Sequence, residues 1–543
     1  MTGAGTHYAT IWEAIADRIP TSPALRHGER HISWGELDNR SARLAGALLA
    51  HGIGVGDGVA VYMHNRPEYF EIFFASLKIR AAPSNVNYRY RSDELLGLLE
   101  NSEAKALFFD AELRDEVLSA VDRVTGLRLL VEVGSEASSS PVPGAQSYET
   151  LLAGNQPASR IVRGDDDMFL SYTGGTTGLP KGVLINIGQS VRNSLRFRDL
   201  FIGGEPTSLE PTSLGPVDFA VHQAHRGSPL SAIPASPLMH STGFLFVSLP
   251  ALTAGGLATT LTSRSFDAHE LLTTVEDTDA QVVGIVGDAF ALPIVRALDE
   301  GKPDGARYEL PSLRVICSAG VAWSVHIKER LLEHLPAVTL VDSCGASEGV
   351  AYGVRRVSSG ETVAAANFEA AVGLKVLSPE GEELPPGEVG MLAGPTTASG
   401  YFRDPESTAS TFFDVGDQRY AMPGDFGRIE SDGSVTLLGR GVTTINTGGE
   451  KVYPGEVEEA IRALVGVDDC VVLGIPDERF GQVVTALVVR EPRTPISVDD
   501  VSRAVRASLA GYKVPRRISF VDQVPRLPNG KVDYDASRAL VEH

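Results

Sequence analysis

Short apolar runs alternate with amphipathic segments along most of the chain, and this alternation restricts the possible folds more than any other feature. Val59–Met63 and Ala106–Phe109 have the composition of buried strands, and Pro67–Lys78 between them has the pattern of a helix. The alternation resumes with the apolar runs Gln281–Val286 and Leu313–Cys317. Strands that alternate with helices indicate parallel sheets, so we predict an α/β fold with two doubly wound units.

The pattern changes towards the C-terminus. From Val372 onwards, short strands are separated by turns such as Ser378–Gly381 and Ser431–Ser434, which predicts a small β-barrel or sandwich. The segments beyond these turns have a mixed α+β pattern. Because 543 residues are too many for one hydrophobic core, we expect a large N-terminal domain, residues 1–439, and a small C-terminal domain, residues 444–543.

Two stretches of unusual composition lie between the α/β units. Residues 202–230 are rich in Gly, Pro and Ser, which predicts an inserted loop. Residues 241–263 contain no charged side chain and are long enough to suggest a membrane span. Pro250, Gly255 and Gly256 interrupt that stretch, so we expect a buried helix and strand there instead.

The charge balance and the cysteine count exclude several classes of protein. A formal net charge of −21 leaves no basic surplus with which to bind nucleic acid or an anionic membrane. Cys317, Cys344 and Cys470 are too few and too scattered for a disulfide framework or a metal cluster. The first residues lack the basic and then apolar layout of a signal peptide. We therefore expect a cytoplasmic protein.

One segment combines the groups that bind phosphate. Residues 171–182 contain four glycines, three threonines and Lys181, directly after the apolar run Met168–Leu170. Glycines let backbone N–H groups point inward, and the threonines and the lysine add donors and charge, so the segment predicts a phosphate-binding loop rather than a surface turn. A Walker A loop needs Gly before its lysine and Ser or Thr after it. Pro180 and Gly182 exclude that type.

A second short motif has two interpretations. Gly345–Gly349 matches G-x-S-x-G, which would make Ser347 the nucleophile of an α/β-hydrolase. That fold needs a histidine later in the chain, and the one histidine after Ser347 is the terminal His543. The residues after Gly349 also lack the pattern of the helix that such a nucleophile precedes. A hydrolase is therefore not expected.

The phosphate-binding loop resembles the signature loop of the adenylate-forming enzymes, which include acyl-CoA synthetases, luciferases and peptide-synthetase adenylation domains. Four more segments are similar to motifs of this superfamily and occur in its order: Ser318–Ala322, Cys344–Glu348, Pro423–Asp425 and Pro525–Asp533. Cys344 and Ser347 stand where the family usually has an aromatic residue and Thr. The resemblance covers nearly the whole chain, and it implies the acyl-CoA synthetase branch.

The resemblance also implies roles for individual residues. In this family the equivalents of Glu348 and Thr176 hold the Mg²⁺ that bridges the ATP phosphates. The equivalent of Asp425 accepts hydrogen bonds from the ribose hydroxyls, and that of Arg440 lies near the ribose and phosphate. Lys531 matches the lysine that enters the active site for adenylation. The other contacts implied for ATP and coenzyme A are Thr173, Gly174, Gly175, Thr177, Gly178, Lys181, Gly320, Val321, Ala322, Asp342, Ser343, Cys344, Gly345, Ala346, Ser347, Gly448, Gly449 and Lys451.

The reaction implied by the resemblance has two steps. A carboxylate attacks the α-phosphorus of ATP and pyrophosphate leaves, and the thiol of coenzyme A then displaces AMP from the acyl-adenylate. In the family the C-terminal domain rotates between these steps about a hinge. Residues 440–443 match the hinge, although Thr443 replaces the usual Asp or Lys. Gly448 and Gly449 resemble the segment that lines the pantetheine tunnel after rotation.

The acid is indicated by three features. Pro237–Gly243 resembles the acyl-gate motif of the family, in which His240 is either a packed core histidine or a mobile gate beside the carboxylate. Members that activate amino acids have an aspartate in this motif, and this chain has none. Asp288, either a strand-end cap or a subgroup marker, makes the chain similar to actinobacterial steroid side-chain and fatty acyl-CoA ligases. A bulky or long-chain acid is expected, with medium-chain or aryl acids as alternatives.

Two other functions would share the ATP motifs. An acyl-AMP ligase that loads a separate carrier protein would need no tunnel for coenzyme A, and Gly448 and Gly449 argue against it. A binding protein that had lost catalysis would be expected to lack Lys531 or Glu348, and both are present. The expected partners are a carboxylic acid, ATP and coenzyme A, without nucleic acid or a transmembrane segment. The sequence leaves the oligomeric state open, a homodimer included.

Overall fold

The structure is a computed structural model, and its described residues form strands and helices throughout the chain. These residues are 6–134, 142–173, 181–203, 214–320, 323–361, 367–440, 445–447, 450–477, 480–491, 494–509, 511–527 and 532–541. The strands are β1 Pro23–His27, β2 Arg30–Ser33, β3 Gly58–Tyr62, β4 Ala82–Asn85, β5 Ala104–Asp110, β6 Leu129–Val133, β7 Ala145–Ser147, β8 Met168–Thr173, β9 Lys181–Asn186, β10 Ser231–Pro234, β11 Leu257–Thr260, β12 Val282–Ile285, β13 Val315–Ala319, β14 Thr339–Ala346, β15 Val350–Val357, β16 Asn367–Ala370, β17 Lys375–Leu377, β18 Gly390–Pro395, β19 Ala398–Tyr401, β20 Phe412–Val415, β21 Gln418–Ala421, β22 Asp425–Ile429, β23 Ser434–Arg440, β24 Ile445–Thr447, β25 Glu450–Val452, β26 Val467–Asp477, β27 Gly481–Arg490 and β28 Arg517–Phe520.

The helices pack on the sheets that these strands form. They are α1 Tyr8–Arg18, α2 Trp34–Ala50, α3 Pro67–Lys78, α4 Ser92–Asn101, α5 Arg114–Ala120, α6 Tyr148–Gly154, α7 Ile187–Phe201, α8 Pro216–His225, α9 Ser241–Gly243, α10 Leu249–Thr253, α11 Ala268–Thr278, α12 Asp288–Glu300, α13 Val325–His334, α14 Pro405–Thr411, α15 Pro454–Arg462, α16 Val498–Ser508 and α17 Tyr534–Ala539. A π-helix, Phe244–Ser248, joins α9 to α10.

The first sheet is the N-terminal α/β unit that the alternation predicts. Its strand order is β19-β9-β8-β4-β3-β5-β6-β7, and β3, β4, β5, β6 and β8 pair in parallel. All residues of β3 are buried, as expected for a strand covered on both faces. α3 begins at Pro67 as predicted, because proline at the first turn loses no hydrogen bond there.

The second sheet changes from parallel to antiparallel pairing along its width. β11, β10, β12, β13 and β14 pair in parallel, which confirms the second α/β unit. β14 then pairs antiparallel with β15, and the order continues through β16, β23, β22, β18, β21 and β20. The predicted small β unit is therefore present, and its strands extend the edge of the second sheet.

The C-terminal segment has its own sheet and core. The long antiparallel pair β26 and β27 is flanked by β24, β25 and β28, and α15 and α16 cover it. Buried aliphatic side chains such as Val457, Ile461, Val488 and Val501 fill the space between helices and sheet. The predicted hinge lies largely outside the described residues, because 441–444 are not among them.

The structure corrects one prediction in the unusual stretches and confirms another. Within residues 202–230, expected as a loop, Pro216–His225 form helix α8, with Phe219 and Ala220 buried. The Gly- and Pro-rich composition on either side concealed this short helix, and 204–213 lie outside the described residues. Residues 241–253 are helical and β11 follows, as predicted. In the described residues, no helix combines the length and the hydrophobicity needed to cross a membrane.

Candidate active site

Two strands of the first sheet hold the ends of the predicted phosphate-binding loop. β8 ends at Thr173 and β9 begins at Lys181, and their antiparallel register places these two residues opposite each other. The loop therefore leaves and re-enters the sheet at one point of its edge. The predicted phosphate contacts within residues 174–180 lie outside the described residues, and these are Gly174, Gly175, Thr176, Thr177 and Gly178.

Lys181 is half-exposed and held by weak contacts. Its ammonium donates to Ser407 Oγ at 2.5 Å, and it lies 3.6 Å from Asp404 Oδ2. The same ammonium lies 5.1 Å from the centroid of the Tyr401 ring. The side chain is 38% exposed, and exposed ion pairs contribute little to stability. Lys181 can therefore exchange these contacts for a phosphate.

Glu348 is a buried carboxylate with one oxygen bonded and one unpaired. Oε1 accepts a hydrogen bond from the Tyr401 hydroxyl at 2.7 Å. Oε2 is buried, and the described residues provide it with no hydrogen-bond partner. A buried carboxylate oxygen without a partner carries a large desolvation cost. The unpaired oxygen therefore makes Glu348 a candidate ligand.

The unpaired oxygen fits Mg²⁺. This ion prefers carboxylate and phosphate oxygens, and proteins usually hold it by one or two carboxylates together with substrate phosphates. Among the described side chains, no group of three or more His, Cys, Asp or Glu residues could hold a metal. An ion at Glu348 would therefore share its remaining ligands with a polyphosphate and with groups such as Thr176.

The turn after β14 brings Glu348 against the strand that carries Tyr401. The Thr396 hydroxyl donates to the backbone oxygen of Glu348, and Thr396 also pairs with Val350. Gly349 in this turn has φ +77°, and a Cβ added there would lie 2.5 Å from Thr397 Oγ1. This position thus requires glycine because its φ is positive and the Thr397 hydroxyl fills the space that a Cβ would need.

The end of β14 carries most of the predicted nucleotide contacts. Asp342 is buried in an ion pair with Lys328, whose ammonium lies 2.5 Å from Asp342 Oδ2. Burial raises the pKa of the Cys344 thiol, and the charges of Asp342 and Asp425 raise it further. Cys344 is therefore neutral and packs against its surroundings instead of reacting. The other predicted residues of this strand end are half-buried or exposed, and these are Ser343, Gly345, Ala346 and Ser347.

Asp425 begins β22 and is held by a tyrosine. Its Oδ2 accepts a hydrogen bond from the Tyr352 hydroxyl at 2.6 Å, and the carboxylate is 8% exposed. In the β22–β23 pair, Asp425 is opposite Arg440, so the backbone brings these two predicted ribose contacts together. The side chain of Arg440 is outside the described residues.

The predicted adenine-lining segment lies next to the predicted acyl gate. Thr242 Oγ1 donates to the backbone oxygen of Ala319 at 3.4 Å. The neighbouring Gly320 is exposed and has φ +92°, with Thr242 Oγ1 4.0 Å from the position of a Cβ. A ligand can therefore approach this backbone closely. Val321 and Ala322 lie outside the described residues.

His240 lies on the wall of a mainly apolar pocket. The pocket has a volume of about 30 Å³ and lies between the first sheet, α3 and the segment that begins α9. Its lining includes Tyr69, Phe73, Met239, His240 and Phe244. Phe244 packs edge-on against Phe73, with ring centroids 4.8 Å apart. Its walls suit an apolar group whose polar end lies near His240, and a long or bulky acid would need the pocket to widen.

The predicted contacts in the C-terminal segment are less completely described. Gly448 and Gly449, and the side chain of Lys451, lie outside the described residues. Lys531 is also outside them. Of the described residues near it, Arg526 and Val532 pair in an antiparallel bridge.

Two tyrosines that the sequence motifs did not single out complete the site. Tyr401 binds Glu348 and lies against Lys181, and Tyr352 binds Asp425. Each tyrosine lies more than 50 residues from its carboxylate in the chain, so local spacing does not reveal the contact. The chain has 14 tyrosines, and the sequence gives no pattern that would select these two among them.

Comparison with known proteins identifies the family. Residues 12–402 match the family model described as AMP-binding enzyme, and residues 456–531 match the AMP-binding enzyme C-terminal domain. The chain is 35% identical over 536 residues to a 3-oxocholest-4-en-26-oate–CoA ligase of Rhodococcus rhodochrous, with 97% of this chain and 94% of the relative covered. It is 34% identical over 541 residues to a medium/long-chain-fatty-acid–CoA/3-oxocholest-4-en-26-oate–CoA ligase of Mycolicibacterium smegmatis, covering 98% and 96%.

A solved structure agrees with this result. ATP-bound MatB from Rhodopseudomonas palustris matches the fold with a TM-score of 0.78 and 27% identity, and 98% of each chain is covered. The agreement includes both the large N-terminal part and the small C-terminal part. With two family models matched in order and relatives above 30% identity along nearly its full length, this chain belongs to the AMP-binding family of adenylate-forming enzymes.

Proposed function

We propose that this protein is an ATP-dependent acid–CoA ligase that forms AMP. It would join a carboxylate to the α-phosphate of ATP with release of pyrophosphate, and then transfer the acyl group to the thiol of coenzyme A with release of AMP. The observation that carries the proposal is Glu348, a buried carboxylate with an unpaired oxygen next to the tyrosine that also contacts Lys181. The family and the named CoA ligases support the same reaction.

The first step depends on positioning and on neutralising phosphate charge. Such transfers need the attacking and leaving oxygens in line, with cations around the phosphates. Asp425, fixed by Tyr352, would accept hydrogen bonds from the ribose hydroxyls. Lys181 would leave its weak contacts to bind phosphate, and Lys531 would bind the carboxylate and the α-phosphate together. Bound Mg²⁺ supplies positive charge to the leaving pyrophosphate, and Glu348 and Thr176 would hold it.

The second step needs a different placement of the C-terminal domain. We propose that residues 1–439 form the nucleotide- and acid-binding domain, that residues 440–443 act as the hinge, and that residues 444–543 rotate. The turn with Gly448 and Gly449 would then approach the active site and line the path of the pantetheine arm. Two adjacent glycines leave room for such a narrow chain.

The proposed acid is a bulky or long-chain carboxylate, such as a steroid side chain or a fatty acid. The pocket beside His240 is walled mainly by aromatic and aliphatic groups, and no aspartate stands in the gate segment to bind a substrate ammonium. Both named relatives act on such acids according to their names. Medium-chain and aryl acids are the alternatives, and an acyl-AMP ligase for a carrier protein is the second candidate.

The proposed location is the cytoplasm. Cys317, Cys344 and Cys470 all lie in the described part of the chain, and none of them forms a disulfide. Burial raises the pKa of each thiol, so the cysteines stay protonated and inert. A reducing compartment suits such a protein. A homodimer is a further proposal, which the mass of the protein in solution would test.

A substrate panel separates the candidates. The panel contains a 3-oxo-steroid side-chain acid, palmitate, octanoate and benzoate, each with ATP and Mg²⁺, with and without coenzyme A. Pyrophosphate release and thioester formation are measured separately. The proposal expects the steroid or palmitate to give the highest kcat/KM and a thioester with coenzyme A. Adenylate formation that coenzyme A never accelerates would favour the carrier-protein ligase, and a preference for octanoate or benzoate would replace the proposed acid class.

A further inference from the structure

Gly287 and Asp288, the N-cap and the first residue of α12, are bonded to residues on both sides of the predicted adenine-lining segment. The N–H of Gly287 donates to Ser318 Oγ at 2.9 Å. The next residue, Asp288, accepts from the N–H of Ser324 at 2.9 Å and also from the Ser324 hydroxyl. Residues 319–323 lie between these two serines and include Gly320. The bonds therefore join Gly287 and Asp288 to the residues just before and just after 319–323.

Ser324 binds Asp288 instead of capping its own helix. It is the N-cap of α13, a position where a serine hydroxyl usually accepts from a backbone N–H of the first turn. In the described structure Ser324 makes no such cap bond, and its hydroxyl donates to Asp288 instead. The bond thus joins α13 to the start of α12 rather than stabilising α13 alone.

Asp288 is suited to hold the segment in one position. Its side chain is 9% exposed, and both carboxylate oxygens accept from Ser324. Burial raises its pKa, while the bonds from Ser324 and the charge of Arg462 act in the opposite direction. Gly287 has φ +51°, a conformation that favours glycine. Because each oxygen of Asp288 already accepts from Ser324, we assign the side chain a structural function.

We propose that Asp288 is a positioning residue for nucleotide binding, which fixes Ser324 at the start of α13, next to the predicted adenine-lining segment. This role rests on the proposed function, because it assigns the segment to the ATP site. Neither the family motifs quoted above nor the sequence pattern predicts it, since the sequence suggested only a strand-end cap or a subgroup marker at Asp288. The bonded partner lies 36 residues further along the chain.

The affinity of the full-length protein for MgATP, measured by calorimetry without acid or coenzyme A, tests the role. D288A removes both acceptors and should raise the dissociation constant about tenfold or more. D288N keeps an acceptor for the Ser324 N–H and offers an amide N–H to the serine oxygen, so it should bind within about threefold of wild type. In turnover, D288A should raise the KM for ATP and leave the KM for the acid unchanged.

Two further variants separate positioning from general stability. Asp267 caps the neighbouring helix α11 by accepting from the N–H groups of His269 and Glu270, so D267A should lower the melting temperature without changing MgATP affinity. S324A should weaken MgATP binding as D288A does, and the double variant should be no weaker than D288A alone.

The outcomes distinguish this inference from the proposed function. Wild-type affinity in D288A, or equal loss in D288N and D288A, would overturn the positioning role while leaving the ligase proposal intact. A rise in the KM for the acid alone would place Asp288 at the acyl site and would also overturn it. A wild-type protein that binds no MgATP would overturn the proposed function, and this role with it.

Discussion

The hydroxyl of Tyr401 donates to Glu348 Oε1 at 2.7 Å, although 53 residues separate them in the chain. The bond joins β19 of the first sheet to the turn after β14 of the second. Because Lys181 lies 5.1 Å from the centroid of the same ring, one side chain contacts both a predicted phosphate ligand and a predicted metal ligand. The two sheets therefore both contribute residues to the candidate polyphosphate site.

Replacing Tyr401 by Phe should impair the use of Mg²⁺. The variant keeps the ring beside Lys181 but leaves Glu348 Oε1 without its donor, and a hydrogen bond to a charged group contributes about 1.5–3 kcal/mol. We expect kcat/KM for pyrophosphate release to fall about tenfold to a hundredfold, with a higher Mg²⁺ concentration at half-maximal rate. Tyr420, whose hydroxyl donates to the Gly373 oxygen at 3.0 Å, provides the matched Phe control. Equal effects in both variants would contradict the role of Tyr401.

Replacing Lys531 by Ala should abolish the first step selectively. The lysine is proposed to bind the attacking and transferred groups, and loss of one such donor costs about 10²–10³ in rate. Pyrophosphate release should fall by that factor, whereas thioester formation from supplied acyl-AMP should change much less. Lys513→Ala is the control, because Lys513 pairs with Glu456 in the same segment and has no proposed catalytic role. Equal loss in both steps would argue against this assignment.

Replacing Tyr352 by Phe should weaken recognition of the ribose. Asp425 would lose the donor at 2.6 Å that orients its carboxylate. We expect the KM for ATP to rise about tenfold and the KM for the acid to stay unchanged. 2′-Deoxy-ATP provides the decisive comparison, since the wild type should prefer ATP over it more strongly than the variant does. An unchanged preference would show that Asp425 does not bind the 2′-hydroxyl.

Glu68 should make stability depend on pH in the acid range. Burial raises the pKa of Glu68, but the nearby charges of Arg66 and Arg30 lower it by more, so the pKa falls from 4.5 to about 2. A carboxyl whose pKa is lower in the folded state than in the unfolded state stabilises the fold at pH values above the unfolded-state pKa. This contribution disappears as pH falls towards 2. E68Q should therefore cost about 3 kcal/mol near neutral pH and progressively less below pH 4.5, as measured by urea unfolding. A cost that is independent of pH would contradict the ion-pair explanation.

Local patterns predicted the parts of the fold that local physics controls. α3 was predicted over its observed range because Pro67 defines its start, and β3, β5, β12 and β13 lie within a few residues of the predicted strands. α8 was missed because residues rich in Gly, Pro and Ser surround a helix with only a short buried face.

The site could be predicted only where a motif lies within a few consecutive residues. Glu348, Asp425 and His240 came from such motifs. Tyr401, Tyr352 and the Asp288–Ser324 bond did not, since each contact is made by residues brought together by strand pairing or helix packing. The roles assigned to all of these motif residues remain predictions, and Lys531 itself lies outside the described part of the chain.

The change from parallel to antiparallel pairing between β14 and β15 has a practical consequence. Glu348 stands in the turn between these strands, and Gly349 leaves no room for a side chain against Thr397. A hybrid enzyme assembled from two relatives would thus misplace Glu348 if the crossover fell between β14 and β19. A crossover before β10 or after β23 would take Glu348, Gly349 and Tyr401 from the same parent. A crossover before β10 would then exchange acid selectivity, and one after β23 would exchange domain motion.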